Sequence, residues 1–327
     1  MRVSLVLPNA PAVPEQAEQP ARLVSESPLL ERLWQGQSYG VDTATTFAHL
    51  AGRGIRPALG TGVMLTTLQH PVRAALEARS LAVISGQPVM YCVGPGSWNV
   101  QRLLRGSPDD TPVASTRRYL DDMRSTLVAT GAATVRDDHA RDTESPLLYV
   151  IPTPEVRIGV GVLRPAMARV AGSSADVAMS WLGTPEYLRD QLIPPMESAA
   201  ARESRPRPHL VATVHVAVAR RGRDARRLAQ IGIGGHLALA HYAATARRCG
   251  AAVEPGNDSA TAAAALSAGL FVYGSAAEIV ERMRAYARCG IDEIAVHIAA
   301  VAACHGVDEA LHDVREILSE WRIADVG

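Results

Sequence analysis

The chain has 327 residues, with 33 acidic and 33 basic side chains and no formal net charge. Every basic residue is an arginine, which excludes a Schiff-base lysine, a pyridoxal phosphate anchor and a P-loop lysine. The balanced charge argues against a nucleic-acid binder, and 47% hydrophobic residues are ample for one large α/β barrel or two average domains.

Cys92, Cys249, Cys289 and Cys304 form no CxxC pair and show no zinc-ligand spacing. Cys304 and His305 are adjacent, a poor geometry for two ligands of one metal. They read as buried thiols in a reducing cytosol, and no metal is expected. The apolar run in the opening MRVSLVLP is too short for a secretory signal. No stretch reaches bilayer length. The expectation is a soluble, cytoplasmic protein that engages neither nucleic acid nor membrane.

Strand-like and helix-like segments alternate, the pattern of a parallel α/β fold. Val3–Leu7 reads as the first strand. Prolines at 8, 11, 14, 20 and 28 make residues 8–28 a loop. Leu29–Gly36 is a second strand, and Asp42 caps a helix through Ala51. Arg56–Leu65 is a third strand with glycines inside it, and Pro71 opens a helix that Gly86 closes. Val89–Val93 is a strand running into Gly94-Pro95-Gly96, and Thr116–Thr130 a helix. Val156–Val162 and Val177–Trp181 are strands flanking a short helix, Met167–Ala171. Pro185–Ala201 is a helix broken by Pro194 and Pro195. His209–Ala219 alternates like a strand, Gly234–Cys249 and Glu278–Cys289 are helices, Glu293–Ala299 is a last strand, and Val307–Trp321 a terminal helix. About eight strands separated by helices is the count of a TIM barrel. The reading is one barrel domain over residues 1–327, with residues 8–28 and 105–147 as loop and insertion segments. Arg220–Arg227 reads as a solvated turn and helix start, with a phosphate site as the alternative.

Four segments carry a resemblance. Leu59-Gly60-Thr61-Gly62-Val63, with His70-Pro71 and Ala74–Gly86, is similar to the third strand and following helix of the bacterial luciferase-like family of flavin- and F420-dependent oxidoreductases. Val93-Gly94-Pro95-Gly96 resembles that family's glycine turn after strand four. Ile158–Asp176 with Trp181 resembles its fifth strand and the helix beyond, and Val272–Val296 its closing segment. The resemblance implies a (β/α)8 barrel with insertions at its C-terminal face, a homodimer through the second and third helices, and a cofactor at the C-terminal ends of the strands. It places Thr61, Gly62 and Val63 in a bulge with a cis peptide at Gly62-Val63 that props the cofactor ring. A plain β-bulge is the alternative. Physics points the same way, since a glycine inside a good strand is costly unless something approaches closely. Pro95, Gly96 and Ser97 bring backbone and a hydroxyl to the cofactor. Val162, Leu163 and Arg164 precede a helix whose N–H groups can hold a phosphate, and Trp181 completes the cofactor set.

The sequence departs from the family after strand two. Many relatives carry an acidic residue and a histidine there, whereas this chain has Gln37 and Ser38, which do not titrate near neutrality. Ser97 stands where sugar-phosphate-oxidising relatives carry a glutamate. Alcohol oxidation with a histidine base is therefore not expected, which leaves reduction or oxygenation. Reduction needs a hydride and one proton, and water or a hydroxyl can supply the proton. The candidate donors are Ser38, Tyr39 and His297, with Gln37 on the cofactor. Tyr91 is a further hydroxyl; His215 and His70 read as structural. A histidine inside a barrel strand is also what a hydrogen-bonded core residue looks like, and His297 has that alternative.

The WQGQS and ARSLAVISG stretches resemble luciferase-like enzymes of peptide natural-product clusters, some of which use reduced F420 to reduce dehydroalanine in lanthipeptides. The expected function is thus an F420H2-dependent reductase acting on a conjugated acceptor, dehydroalanine in a peptide. The alternatives are an FMN-dependent monooxygenase on a small organic substrate and a non-catalytic flavin-binding protein.

Overall fold

The computed structural model describes residues 1–107, 111–130, 152–254, 256 and 258–325. Nine parallel strands run in chain order: β1 (Arg2–Val6), β2 (Leu33–Gln35), β3 (Leu59–Leu65), β4 (Val89–Gly94), β5 (Val156–Val162), β6 (Val177–Trp181), β7 (His209–Val218), β8 (Phe271–Gly274) and β9 (Glu293–His297). β1 to β6 pair in sequence, β6 pairs β7, β7 pairs β9, and β9 returns to β1. These eight close a TIM barrel. β8 is an extra strand on the C-terminal half of β7, with Val216 opposite Val272.

The alternation of side chains along each strand splits the core in two. One set packs against the outer helices, as do Leu5, Leu33, Leu59, Ile158 and Val160. The other fills the barrel: Val6, Trp34, Met90, Cys92, Val177, Met179, Val211 and Ala295. At the N-terminal end the interior is polar and built around one carboxylate. Glu293 is fully buried and accepts from Ser4 Oγ at 2.6 Å, Trp34 Nε1 at 2.8 Å and pairs with His209 Nε2 at 3.0 Å. Burial pushes its carboxyl up, but His209, Arg32 and Ser4 more than offset this and hold it below the usual range.

Several elements differ from the sequence expectation. Residues 8–28 are not a loop: Pro14–Ala17 forms a helical turn and Glu18–Glu26 a helix. Pro20 lies in its first turn, where a missing N–H costs nothing, and Ala21 and Val24 are buried. β2 is confined to Leu33–Gln35, because a turn from Leu30 N–H to Ser27 O precedes it. Within 185–202 a wide turn at Leu188–Leu192 leads into a helix Ile193–Arg202, with the proline pair in its first turn. Within 105–147 the helix Pro112–Ala129 is present, and residues 108–110 and 131–147 lie outside the described residues. No helix among the described residues is long and apolar enough to cross a membrane.

Arg220–Arg227 is a turn and helix start, as read, with Arg221, Arg226 and Arg227 exposed, but two of its arginines also tie elements together. Arg220 and Arg223 pair with Asp313 at 3.1 and 2.6 Å, and the Arg223 side chain is only 3% exposed. Asp176, a residue of the family pattern, likewise ties elements together, binding Arg124 at 3.0 Å and Arg205 at 3.1 Å.

Candidate active site

All eight staves point their C-terminal ends at one mouth. On one side stands the bulge of β3, where the register against β4 shifts between Thr61 and Met64 and the Gly62-Val63 peptide is cis. Glycines make room for it. A Cβ at Gly36 would sit 3.0 Å from the Gly62 carbonyl oxygen, and Cβ atoms at Gly94 and Gly161 would sit 3.0 and 3.1 Å from the Val63 methyls. Val63 therefore rests on β4 and β5 as a half-buried apolar shelf inside the mouth. Gln37 clamps the bulge from β2: its N–H donates to Val63 O at 3.0 Å, and its side-chain oxygen accepts from Leu65 N at 3.4 Å.

Other residues expected at the cofactor fall into different roles. The Thr61 hydroxyl donates to Cys92 O at 3.1 Å and accepts from Cys92 N at 2.9 Å, so it ties β3 to β4. Gly62 is needed by the barrel interior, because a Cβ there would run into the Met179 thioether. A bulkier residue at 62 would thus displace Met179 and not fill a place beside the ring. Pro95 and Gly96 form the turn after β4, with Gly96 at φ +76°. Ser97 caps the helix Trp98–Arg105, accepting from Val100 N at 3.3 Å. The Val162 side chain packs outward into the helix layer, leaving only its backbone near the mouth. Leu163 O accepts from Tyr187 OH at 2.8 Å. Exposed Arg164 precedes the helix Pro165–Ser174 and donates to His241 O at 3.2 Å.

Of the expected proton donors, Ser38 is buried and its hydroxyl accepts from Gly40 N at 3.2 Å. Tyr39 is 72% exposed, out on the rim and away from the barrel axis. Tyr91 faces the outer helices, where its hydroxyl donates to Glu77 at 2.7 Å and accepts from Gln69 at 2.8 Å. Burial and the Glu77 carboxylate push that phenol far up, so it has no part in the mouth. His70 caps a helix through Nδ1, 3.3 Å from Val72 N, and its side chain is exposed, so its role is capping where packing was expected.

His297 is at the mouth, and it is not alone. β7 and β9 pair His215 with His297 in register, and β6 and β7 pair Trp181 with Thr213. Ring centroids of His215 and His297 are 4.5 Å apart, and both rings meet Trp181 edge-on at 4.9 and 5.3 Å. His236, from the segment after β7, tilts against Trp181 at 5.2 Å. Burial, then the neighbouring imidazoles, push His215 well below its ordinary value. Burial and His236 push His297 down to about 3, and burial and His241 lower His236. At neutral pH all three rings are uncharged. The sequence reading set His215 aside as structural and missed His236. The signal for His215 lay in strand parity: positions 209, 211, 213 and 215 share the face that 293, 295 and 297 share on β9.

The cofactor that the resemblance implies fits this mouth through the glycine cradle around Val63, which leaves an apolar surface for a ring. The wall across from it holds enclosed polar atoms without partners among the described residues, Trp181 Nε1 and His215 Nε2, free to meet whatever shares the mouth with the ring. Among the described residues no cluster of side chains could hold a metal ion.

The model of the luciferase-like monooxygenase family matches residues 1–293. The chain belongs to this family. Like its members, it is an oxidoreductase enzyme. No curated protein sequence matches the chain. Solved structures do. An F420-dependent secondary alcohol dehydrogenase in complex with an F420-acetone adduct shares 14% identity over 98% of this chain and 99% of that one, with a TM-score of 0.76. The coenzyme F420-dependent tetrahydromethanopterin reductase from Methanopyrus kandleri shares 14% over 99% and 98%, TM-score 0.69. A monooxygenase from Streptomyces bottropensis shares 17% over 99% and 100%, TM-score 0.70. At such identities the likeness shows the family's fold.

Proposed function

We propose that the protein is a cytoplasmic, F420H2-dependent reductase that delivers hydride to a conjugated acceptor, dehydroalanine in a peptide. The observation that carries this reading is the chemistry of the mouth. The imidazoles of His215, His236 and His297 gather on Trp181 and are neutral, and among the described residues none of them is hydrogen-bonded to a carboxylate. Gln37 and Ser38 are spent on backbone. Such a site offers hydrogen-bond donors and no base strong enough to take an alcohol proton. When bound, reduced F420 supplies a hydride and reacts little with oxygen. Val63 and its glycine cradle support the ring, and the helix start beyond Arg164 offers N–H groups and a guanidinium for a phosphate.

Substrate size is read from the rim. Tyr39, Leu68 and Trp98 are exposed just after the C-terminal ends of β2, β3 and β4, and Leu103, 83% exposed, and Leu104 sit on the helix Trp98–Arg105 that follows β4. Apolar surface gathered around a mouth suits a substrate longer than the mouth is deep. The test is anaerobic: protein, F420H2 and a dehydroalanine peptide, followed by F420 absorbance and peptide mass. Oxidised F420 should appear with a peptide two hydrogens heavier. Absence of both, together with oxygen-dependent turnover of FMNH2, would favour the second reading, an FMN-dependent monooxygenase, to which the likeness to a monooxygenase also points.

A homodimer is proposed through the helices Thr43–Gly52 and Pro71–Ser85. Val72 and Val83 are exposed, and Leu76 and Arg79 half-exposed, on the second of them. Ala75, expected on that face, is fully buried in its own chain and is excluded from it. Light scattering at micromolar concentration should give twice the chain mass of 34.7 kDa; a monomer there would refute it.

A further inference from the structure

Deep in the barrel the Glu293 carboxylate is engaged by Ser4, Trp34 and His209, and Arg32 Nε is a lone unpartnered atom beside it, whereas at the mouth unpartnered atoms come as a group. Trp181 Nε1, Thr213 Oγ1 and His215 Nε2 are enclosed and have no partner among the described residues. Thr213 and His215 are 3% and 1% exposed. Buried polar groups are normally paired, so three orphans on adjacent strands mark a place where pairing is reserved for something else.

His297 adds a donor whose direction is fixed. Its Nδ1 accepts from Ala299 N at 3.5 Å. A neutral ring that accepts at Nδ1 carries its proton on Nε2. That Nε2 has no partner among the described residues and is not among the enclosed atoms, so it opens to the mouth. His215 and Trp181 hold the ring from two sides.

The set is rich in donors and uncharged. The indole offers only a donor, His297 Nε2 offers a donor, and among the described residues these rings meet one another and form no ion pair or hydrogen bond with a guanidinium or carboxylate. A carboxylate or phosphate would call for a cation, and an ammonium for acceptors or acids. A neutral carbonyl oxygen, with two lone pairs, matches.

We propose that Trp181, Thr213, His215 and His297 form a carbonyl-recognition subsite for the acceptor's amide oxygen, with His297 Nε2–H as the direct donor and His215 as the residue that positions its ring. This rests on the reductase reading of the same mouth. β7 lies across the barrel from β3, four staves away in the closed order. A carbonyl held at β7 and β9 thus places the carbon conjugated to it toward the Val63 shelf. Hydride from reduced F420 adds to the β-carbon, and the double-bond electrons shift toward the amide oxygen. Charge develops where the donors stand, and the α-carbon then takes a proton from water. One hydride and one proton are consumed, and F420H2 becomes F420. A fixed neutral donor acts here as an oxyanion hole does, stabilising charge without titrating.

The experiment uses the full-length protein in two arms. In the first, nitrogen-15 spectra of the histidine side chains are recorded with and without N-acetylalanine methylamide, a saturated amide of the product class. His297 should show a neutral ring protonated on Nε2, and that resonance should move when the amide is added. In His215→Phe the tautomer signature should blur. In the second arm, F420H2-dependent reduction is measured across pH 5 to 9. His297→Phe should lower kcat/KM by roughly 10²- to 10³-fold, the loss seen when one oxyanion donor is removed, while His297→Gln, which keeps a donor, stays within about tenfold. The pH profile should show no break belonging to this ring. An amide that leaves the His297 resonance unmoved, a His297→Phe enzyme as active as the parent, or His297→Gln as impaired as His297→Phe would overturn the subsite. A resonance that responds in a protein that reduces nothing would uphold the subsite and sink the reductase reading.

Discussion

The folded protein is expected to lose stability steeply as pH falls below about 6.5, before its carboxylates protonate. His215 and His297 are held neutral in the barrel mouth, His215 by burial and the imidazoles of His297 and His236, His297 by burial and His236. Their folded-state affinities for a proton are depressed. In the unfolded chain each ring returns to an ordinary value near 6.5. Above that pH neither state binds the proton and the full stability is present. Between it and the folded value, about 3 for His297, the unfolded chain binds protons that the barrel refuses. Each such ring then removes about 1.4 kcal/mol per pH unit. His297 alone removes roughly 2 kcal/mol by pH 5, a sizeable part of the 5–15 kcal/mol typical of a folded domain, and His215 adds to the loss in the same direction. His297 keeps an edge open to the mouth, which trims its share. Urea midpoints at pH 7.5, 6 and 5 measure the slope. His215→Phe should flatten it, since the ring is kept and the proton site removed. Equal midpoints at pH 7.5 and 5 would show that these rings charge freely in the folded state.

How far the sequence revealed this arrangement depended on range. β4 is a continuous apolar run between Pro88 and Gly94, and β5 and β6 are apolar apart from Arg157, Ser180 and the glycines of β5, which is how strands covered on both faces of a barrel read. The bulge at Gly62-Val63 was legible because two glycines interrupt a strand of otherwise good strand formers. The helix Glu18–Glu26 was not: its proline is tolerated only because it falls in the first turn, and the position of that turn is set by where Ala21 and Val24 find the core. The ring cluster was half legible. Strand parity puts His215 and His297 on inward faces, but only the pairing register brings them level. Thr61 and Gln37 stood at the positions a family pattern would choose, yet their polar atoms are spent on neighbouring backbone. A pattern records which residue occurs, and not which hydrogen bond uses it.

Asp313→Ala is expected to cost about 3–5 kcal/mol, through a tie that nothing local in the sequence announces. Asp313 is fully buried in the terminal helix Val307–Asp325. Its Oδ2 accepts from Arg223 Nη1 at 2.6 Å and from Val218 N at 3.0 Å, and its Oδ1 from Arg220 Nη2 at 3.1 Å. Arg223 in turn donates to Val218 O at 2.7 Å, so one carboxylate fastens the last residue of β7 to the helix. Alanine would leave the Val218 N–H without its acceptor and leave Arg223, whose side chain is 3% exposed, with the Val218 carbonyl and the exposed carboxylate of Glu309 at 3.1 Å in place of a buried one. Breaking a buried pair by removing one partner leaves an uncompensated charge, and the size of the expected loss follows from that. Glu316 binds Arg220 at 2.7 Å but is 40% exposed, so Glu316→Ala should cost no more than about 1 kcal/mol. Urea denaturation of both variants tests the contrast, with Asp313→Asn as the form that keeps one acceptor should the alanine variant not fold. Equal losses at 313 and 316 would mean the buried carboxylate contributes no more than a surface pair. The tie also bears on the mouth, because Val218 is three residues beyond His215 on the same strand. Loosening it should let the His215 ring drift from Trp181, and the nitrogen-15 signature of His297 should broaden in Asp313→Asn while remaining sharp in Glu316→Ala.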